Sequence, residues 1–598
     1  MNGGFFPTAW GWPALGFLVL LGAGALAADR YCLTRWDVIA SAALGAFAAW
    51  TALSALWAPG AGLPIEAAEL ALVYAAGFAC FLAFTPPTSA HWLPVGVLCG
   101  VLPIAAYALA TRLVPDHVGR YEPSAGGYLL AGTVGYWNAL GLLVAIASIV
   151  ALGLVAHAGD VRVRAAAAAS LVLLFPTLYF TFSRGAAAAL ALGLVVAFLL
   201  DPSRLRFTVA LFVALPLPLL GAWLGSRSNA LTKAGSSRSA AAHDGHRVVL
   251  ALVVLAVLAA AAVTALAYFE RRVTVTAHLR RAYVVGLTTV ALAVLAVVLV
   301  RIGNPVTFVG RATDAFRTDA ASTGGNLNRR FTTLSSHGRS DYWSVAWREA
   351  RDHPALGGGA SSFRQYWLRY RPAPLGALNA HNLYLETLAD LGPVGLLFLI
   401  VALALPLVAA VRARGRPLVP VAAGAYIAYL AHAAIDWDWQ LPAVTLAALA
   451  CGAACLAAAR PLTSARVIQR PLRAGVVAVV VPLIAFVFVM QLGNNAVAAS
   501  DRAADRADYR AAAGDARRAR TWLPWSAGPW QRLGEAQLAQ GDSEGARHSL
   551  REALERDSSD WASWFDLALA STGSERSRAL GEAARLNPRS PEIKALKT

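Results

Sequence analysis

The residues best suited to chemistry lie between 337 and 392, in HGRSDYWSVAWREARDHPALGGGASSFRQYWLRYRPAPLGALNAHNLYLETLADLG. The stretch is polar, rich in Arg, His and Trp, and broken by Gly and Pro, inside a chain that is mostly apolar. Crossing a membrane does not require such a segment, so a reaction is expected there. His381 and Asn382 stand where it runs into an apolar stripe of Leu383, Leu385, Leu388 and Leu391, at helical spacing. A neutral imidazole at that entrance suits removal of a proton from a sugar hydroxyl. The same position equally suits a helix cap by Asn382 and a structural His381. Arg339, Arg348 and Arg351 lie on an expected amphipathic helix with Trp343 and Trp347. Their planar forks match phosphate oxygens in pairs, although an interfacial helix with Trp and Arg anchors would look alike. Gly357, Gly358 and Gly359 are expected to make a tight turn with open backbone N–H groups.

Two more sites stand outside this stretch. Arg184, in TFSRGAAAALAL, has apolar neighbours on both sides. An Arg near bilayer depth costs several kcal/mol unless paired or wet, so it is either a snorkelling side chain or a pyrophosphate anchor. Asp436 and Asp438, in AHAAIDWDWQLPAV, follow His432 by about one helical turn. They suit either acid–base or metal chemistry, or helix ending with Trp437 and Trp439 at the membrane interface. No C-x-x-C, H-E-x-x-H, P-loop or Rossmann glycine pattern is present, so no metal, cofactor or nucleotide site is expected.

The elements that must position these groups are helices. The chain has 598 residues, 58% hydrophobic and 14% charged, which excludes an ordinary soluble domain. Its five cysteines lie in or beside apolar runs, so no disulfide framework is expected. The net charge of +17 suits loops facing anionic lipid headgroups better than nucleic acid. Apolar runs of membrane-spanning length recur at 13–28, 39–57, 67–84, 92–110, 137–156, 165–182, 186–200, 207–224, 248–269, 283–300, 391–411, 418–435, 441–459 and 474–492. Placing the loop after the first helix in the cytoplasm puts Arg30 and Arg35; Arg162 and Arg164; Arg204 and Arg206; Arg271, Arg272, Arg280 and Arg281; Arg412, Arg414 and Arg416; and Arg460, Arg466, Arg470 and Arg473 on that side. The short turns near Pro59 and Asp436 hold no basic residue and fall outside, with both chain ends and the long loop. Residues 225–247, rich in Ser, Ala and Gly, read as a mobile external segment.

After Leu492 the composition turns charged and helical. Trp530, Leu533, Gly534, Ala546, Leu550 and Ala553 follow tetratricopeptide spacing, and Trp564 repeats Trp530 after 34 positions. The fold expected is an all-α, polytopic membrane helix bundle of about 12 to 14 transmembrane helices, with a large external loop and a C-terminal tetratricopeptide-like domain. Its parts are N-terminal membrane helices at 1–300, the loop at 301–390, further membrane helices at 391–492 and the tail at 493–598.

Five motifs now stand in order: S-R-G at Ser183–Gly185, G-Y-W-N-A at Gly135–Ala139, R-x3-W-x3-W-x6-P-x2-G-x-G from Arg339 to Gly359, A-H-N-x-Y-L-E-x-L-A-D-x-G from Ala380 to Gly392, and H-x3-D-W-D-W from His432 to Trp439. The set resembles the O-antigen ligase and O-antigen polymerase superfamily of bacterial membrane glycosyltransferases. The resemblance implies transfer of a glycan from undecaprenyl pyrophosphate to an acceptor hydroxyl, with inversion and without a metal, on the outer face of the plasma (inner) membrane. It implies His381 and Arg339 as catalytic residues, with Arg184, Asn382, Arg348, Asn138 and Asp436 binding substrate. The expected partners are the lipid-linked donor, a glycan or lipid acceptor, membrane lipids and a protein held by the tail. Ligase and polymerase share these motifs. A lipid-linked glycan transporter would place charge at mid-membrane, and a scaffold would need neither His381 nor Arg184.

Overall fold

The computed structural model describes residues 2–124, 126–272, 276–302, 307, 310, 314, 325–331, 338–462 and 466–597. His337 and much of the first part of the 301–390 loop lie outside these residues. All of the apolar runs are helical. Among the described residues, ten helices are long and apolar enough to cross a membrane, and Arg184–Leu200, Val419–Ala433 and Pro442–Ala458 are shorter apolar helices. The protein is a multi-pass membrane helix bundle. The run at 207–224 is divided into Arg204–Ala214 and Pro216–Arg227, because Pro216 has no N–H for the helical ladder.

At the centre stands the helix Trp137–His157, whose residues from Ala139 to Ala156 are all buried. It is hydrophobic all round, which only a fully enclosed helix tolerates. Arg184–Leu200 and Val419–Ala433 pack on it and on each other. Their crossing is a glycine pair. A methyl carbon at Gly193 would lie 2.6 Å from the Gly424 carbonyl oxygen, and one at Gly424 would lie 2.3 Å from that of Gly193. Small residues let two membrane helices approach to backbone contact. This crossing draws Ser183–Gly185 toward His432.

The two ends of the bundle differ. At one end the Arg-bearing loops meet. Arg30–Tyr31 pairs as a short antiparallel ribbon with Arg466–Val467. Arg460 holds Asp37 through two hydrogen bonds of 3.1 Å and also donates to the Thr85 and Leu82 carbonyls. Arg164 donates to both oxygens of Glu270, at 2.7 and 3.0 Å. At the other end the long loop folds into the helices Arg339–Asp352 and Phe363–Tyr370. The loops assigned to one side by their charge are thus in contact with one another.

The segment 225–247, expected as a loop, is largely helical and hydrogen-bonded to its surroundings. Ser228 donates to Asp244 at 2.6 Å, Arg238 donates to the carbonyls of Pro115 and Asp116, and the helix Arg238–Glu270 begins inside it. Its small residues serve close packing.

The tail is a series of helices from Tyr509–Trp522 to Pro591–Lys597, each packed on the next. Trp530 and Trp564 lie on the helices Gly528–Ala539 and Trp561–Ala570, with Ser543–Arg556 between them. Arg520 and Arg556 cover the Trp530 ring at 4.5 and 4.9 Å. The tail lies on the loop end of the bundle, where Arg371 donates to Asn587 at 2.8 Å and Gly60 bridges to Asp557.

The Arg460–Asp37 pair is almost wholly buried. Removing one partner of such a pair strands a charge, at a cost of about 3–5 kcal/mol. Asp37→Ala and Arg460→Ala should each lower the melting temperature in detergent markedly, whereas Arg206→Ala, on an exposed arginine, should change it little.

Candidate functional site

The site is assembled on one carboxylate. Asp436 is buried between the helices Val419–Ala433 and Pro442–Ala458. It accepts hydrogen bonds from Arg339 (2.9 Å), Tyr136 Oη (2.8 Å), Asn138 Nδ2 (2.6 Å) and the Trp437 N–H (2.9 Å). Asn138 Nδ2 also lies 2.8 Å from Tyr136 Oη. Burial alone would raise the Asp436 carboxyl. The Arg339 guanidinium, helped by His432, His381 and the Trp437 N–H, instead holds it below the usual carboxylate range. Asp436 therefore stays ionised and fixes Arg339. It joins three distant segments: the turn after His432, the Gly135–Ala139 motif and the loop helix.

Two further arginines stand near. Arg184 is the first residue of its helix, which Ser183 caps by accepting from the Ala186 N–H. The Arg330 guanidinium is held below its ordinary range, first by burial and then by the like charge of Arg184, with Tyr136 opposing and Arg339 adding to the effect. Arg184, Arg330 and Arg339 thus lie close enough to feel one another's charge, with Arg339 held on Asp436. Among the described atoms, the buried Nε of Arg339 has no hydrogen-bond partner, a donor still available to a ligand.

His381 lies beside this group. Its ring stacks on Tyr342 with centroids 5.0 Å apart, and Trp437 meets it edge-on at 6.5 Å. Its backbone is in the left-handed region at φ 54°, a strained conformation for a residue with a side chain. His381 Nδ1 lies 3.1 Å from the Asn379 carbonyl oxygen. A carbonyl only accepts, so the ring proton sits on Nδ1 and the lone pair on Nε2. Burial lowers the His381 pKa below the ordinary value; Asp436 and the Asn379 carbonyl oppose this, and Arg339 adds to it. The ring is therefore neutral at pH 7 and able to accept a proton.

His432 and Asp438 form a buried pair behind Asp436. A methyl carbon at Gly185 would lie 2.8 Å from His432 Nε2. The S-R-G motif needs its glycine because the histidine ring occupies that space.

The sequence expectations divide accordingly. His381, Arg339, Arg184, Asn138 and Asp436 come together. Asp436 and Asn138, expected to bind substrate, are hydrogen-bonded to each other, with Asp436 also accepting from Arg339 and both contacting Tyr136. Asn382 is the helix cap, its Oδ1 accepting from the Tyr384 and Leu385 N–H groups at 3.1 and 3.0 Å. Arg348 is exposed on the far face of its helix and lies 4.5 Å over the Tyr370 ring, away from the arginine group. The glycine turn does not offer open N–H groups. Gly358 and Gly359 donate to the Ala389 and Asp390 carbonyls, at 2.9 and 2.8 Å, clasping the loop to the helix Leu383–Arg412 at its Gly392 kink. Ser362 strengthens the clasp by donating to Glu349 at 2.5 Å while lying 3.3 Å from Asp390. Sequence reasoning missed Tyr136, Arg330, Tyr342 and this clasp. Tyr136 stood inside a quoted motif; Arg330, in NLNRRF, carried no signal.

Residues 250–400 match the family described as O-antigen ligase. The chain carries an O-antigen ligase domain. That stretch takes in Arg339, His381 and the loop helices. No curated protein matches the chain. The match supports, at a general level, a membrane enzyme of the ligase and polymerase kind that meets lipid-linked glycan and membrane lipids.

Gly185→Ala forces His432 or the helix to move, and sub-ångström displacement at such a site costs rate steeply. O-antigen ligase-type glycan transfer by Gly185→Ala should fall about tenfold or more. Ala187→Ser, at an exposed position two residues on, should keep wild-type activity.

Proposed function

We propose that the protein moves a glycan from a polyprenyl pyrophosphate, undecaprenyl pyrophosphate in bacteria, to an acceptor hydroxyl on the outer side of the plasma membrane. The convergence of Arg184, Arg330 and Arg339 beside a neutral His381 carries this reading. The acceptor oxygen attacks the anomeric carbon from the face opposite the leaving group, so the configuration inverts. Its proton passes to His381 Nε2. The bond from the anomeric carbon to the pyrophosphate oxygen breaks, and its electron pair leaves with the pyrophosphate. The arginines stabilise that developing charge through donors fixed in advance, an arrangement that needs no metal ion in the step. Asp436 keeps Arg339 aimed, and Tyr136 and Asn138 keep Asp436 in place.

The charge bias of the loops supports an external loop end. The tail lies on that same end, and we read it as a tetratricopeptide-like domain that holds a protein partner. An acceptor of lipid or wall glycan gives a ligase. A second lipid-linked glycan as acceptor gives a polymerase.

The test is transfer in vitro by purified protein from a polyprenyl-pyrophosphate glycan. Wild type should move glycan from the lipid to another molecule, with product size separating one transfer from polymerisation. His381→Ala should lose about 10²–10⁴-fold, the usual contribution of a positioned base. If folded wild type transfers nothing with glycan and lipid acceptors supplied, the enzyme reading fails. The pH profile gives a second check. A base works deprotonated, so activity should fall as pH drops through the His381 pKa. That midpoint should lie below the unperturbed value of about 6.5. A midpoint above it would contradict the environment described for His381.

A further inference from the structure

We propose that Asp116, His117 and His246 form a site for a divalent transition-metal ion, zinc fitting best, apart from the Arg339 cluster. The three offer one carboxylate oxygen and two ring nitrogens, all within 4.8 Å of one another. Asp116 stands between the rings, one oxygen 2.9 Å from His117 Nδ1 and the other 3.2 Å from His246 Nε2. Two imidazoles and a carboxylate suit zinc, with water completing a tetrahedron, and suit magnesium or calcium poorly. Bonds of about 2.0–2.2 Å to a central ion require the three atoms to draw together. The histidine side chains are largely exposed, at 73% and 50%, so they can turn to do this without disturbing the core.

The backbone that carries them is already fixed. Arg238 donates to the Pro115 carbonyl at 2.9 Å and to that of Asp116 at 2.8 Å. Gly245, next to His246, packs so closely that a methyl carbon there would lie 2.0 Å from the Leu113 carbonyl oxygen. A bound ion would staple the turn after the helix Trp92–Leu113 to the start of Arg238–Glu270, across 130 positions of sequence. That separation hides the site from motif reading. The staple anchors the segment that runs on through Tyr128, held under Arg112 at 4.3 Å, to Tyr136 and Asn138.

The experiment uses the full-length protein in detergent, stripped with EDTA, desalted and titrated with zinc. Bound zinc is measured by mass spectrometry after gel filtration, and melting is followed with and without the metal. Wild type should take up one zinc per chain and melt several degrees higher with it, because a ligand bound only by the folded state stabilises it. His117→Ala and His246→Ala should bind zinc about tenfold or more weakly, while melting like wild type without zinc. His353→Ala, at an exposed histidine elsewhere, should leave zinc binding intact. Magnesium in excess should not displace the ion. Absence of stoichiometric zinc in wild type would overturn the proposal, as would uptake unchanged in both variants. Glycan transfer is not the readout, so failure here is distinct from failure of the proposed reaction.

Discussion

The ion pair between Arg339 and Asp436 is the contact on which the site depends. Arg339 opens a loop helix; Asp436 lies in a turn between two apolar helices. A carboxylate buried there would be expensive without a cation, and the cation is supplied from 97 positions away. Tyr136 and Asn138 also donate to it, so the start of the central helix is drawn into the same contact. Loop and bundle are thereby in fixed register. Arg339 keeps an unused donor and His381 an unused lone pair, as a binding and reacting site requires.

This register rests on packing deeper in the membrane part. The Gly193–Gly424 crossing lets two helices meet at their backbones, which sets Gly185 on His432 and so sets the origin of the Arg184 helix. The clasp of Gly358, Gly359, Ser362 and Glu349 on Ala389 and Asp390 performs the same task for His381. Burial first, and then the charge of Asp390, push the Glu349 carboxyl well above its usual range, so it enters this packed region neutral. The tail adds a third hold through Arg371 and Asn587, tying the Phe363–Tyr370 helix to the C-terminal helices.

The membrane helices were legible in the sequence because the bilayer demands long apolar segments, and each such run is helical. The Arg339 helix was legible from its Trp and Arg spacing; the cap at Asn382 was one of two readings its place before a leucine stripe left open, beside the substrate binding implied by the resemblance. The same logic did not give the roles of Asp436 and Asn138. Their chemistry fits substrate binding or positioning equally well, and the contact between them spans 298 positions of sequence. Arg348 has a type that suits phosphate, and its place on the helix leaves it exposed over the Tyr370 ring. The glycine run looked like an anion nest, yet its N–H groups meet carbonyls of a helix end that no local pattern announces. Residues 225–247 looked mobile because small polar residues serve close packing and loops alike.

A double-mutant cycle on Arg339 and Asp436 tests the central claim most directly. Transfer rates would be compared for wild type, Arg339→Gln, Asp436→Asn and the double variant, with melting temperatures confirming that each is folded. If Asp436 acts by holding Arg339, the double variant should be no slower than Arg339→Gln alone, since the second change removes nothing further. Losses that simply multiply would show two independent roles and contradict the account.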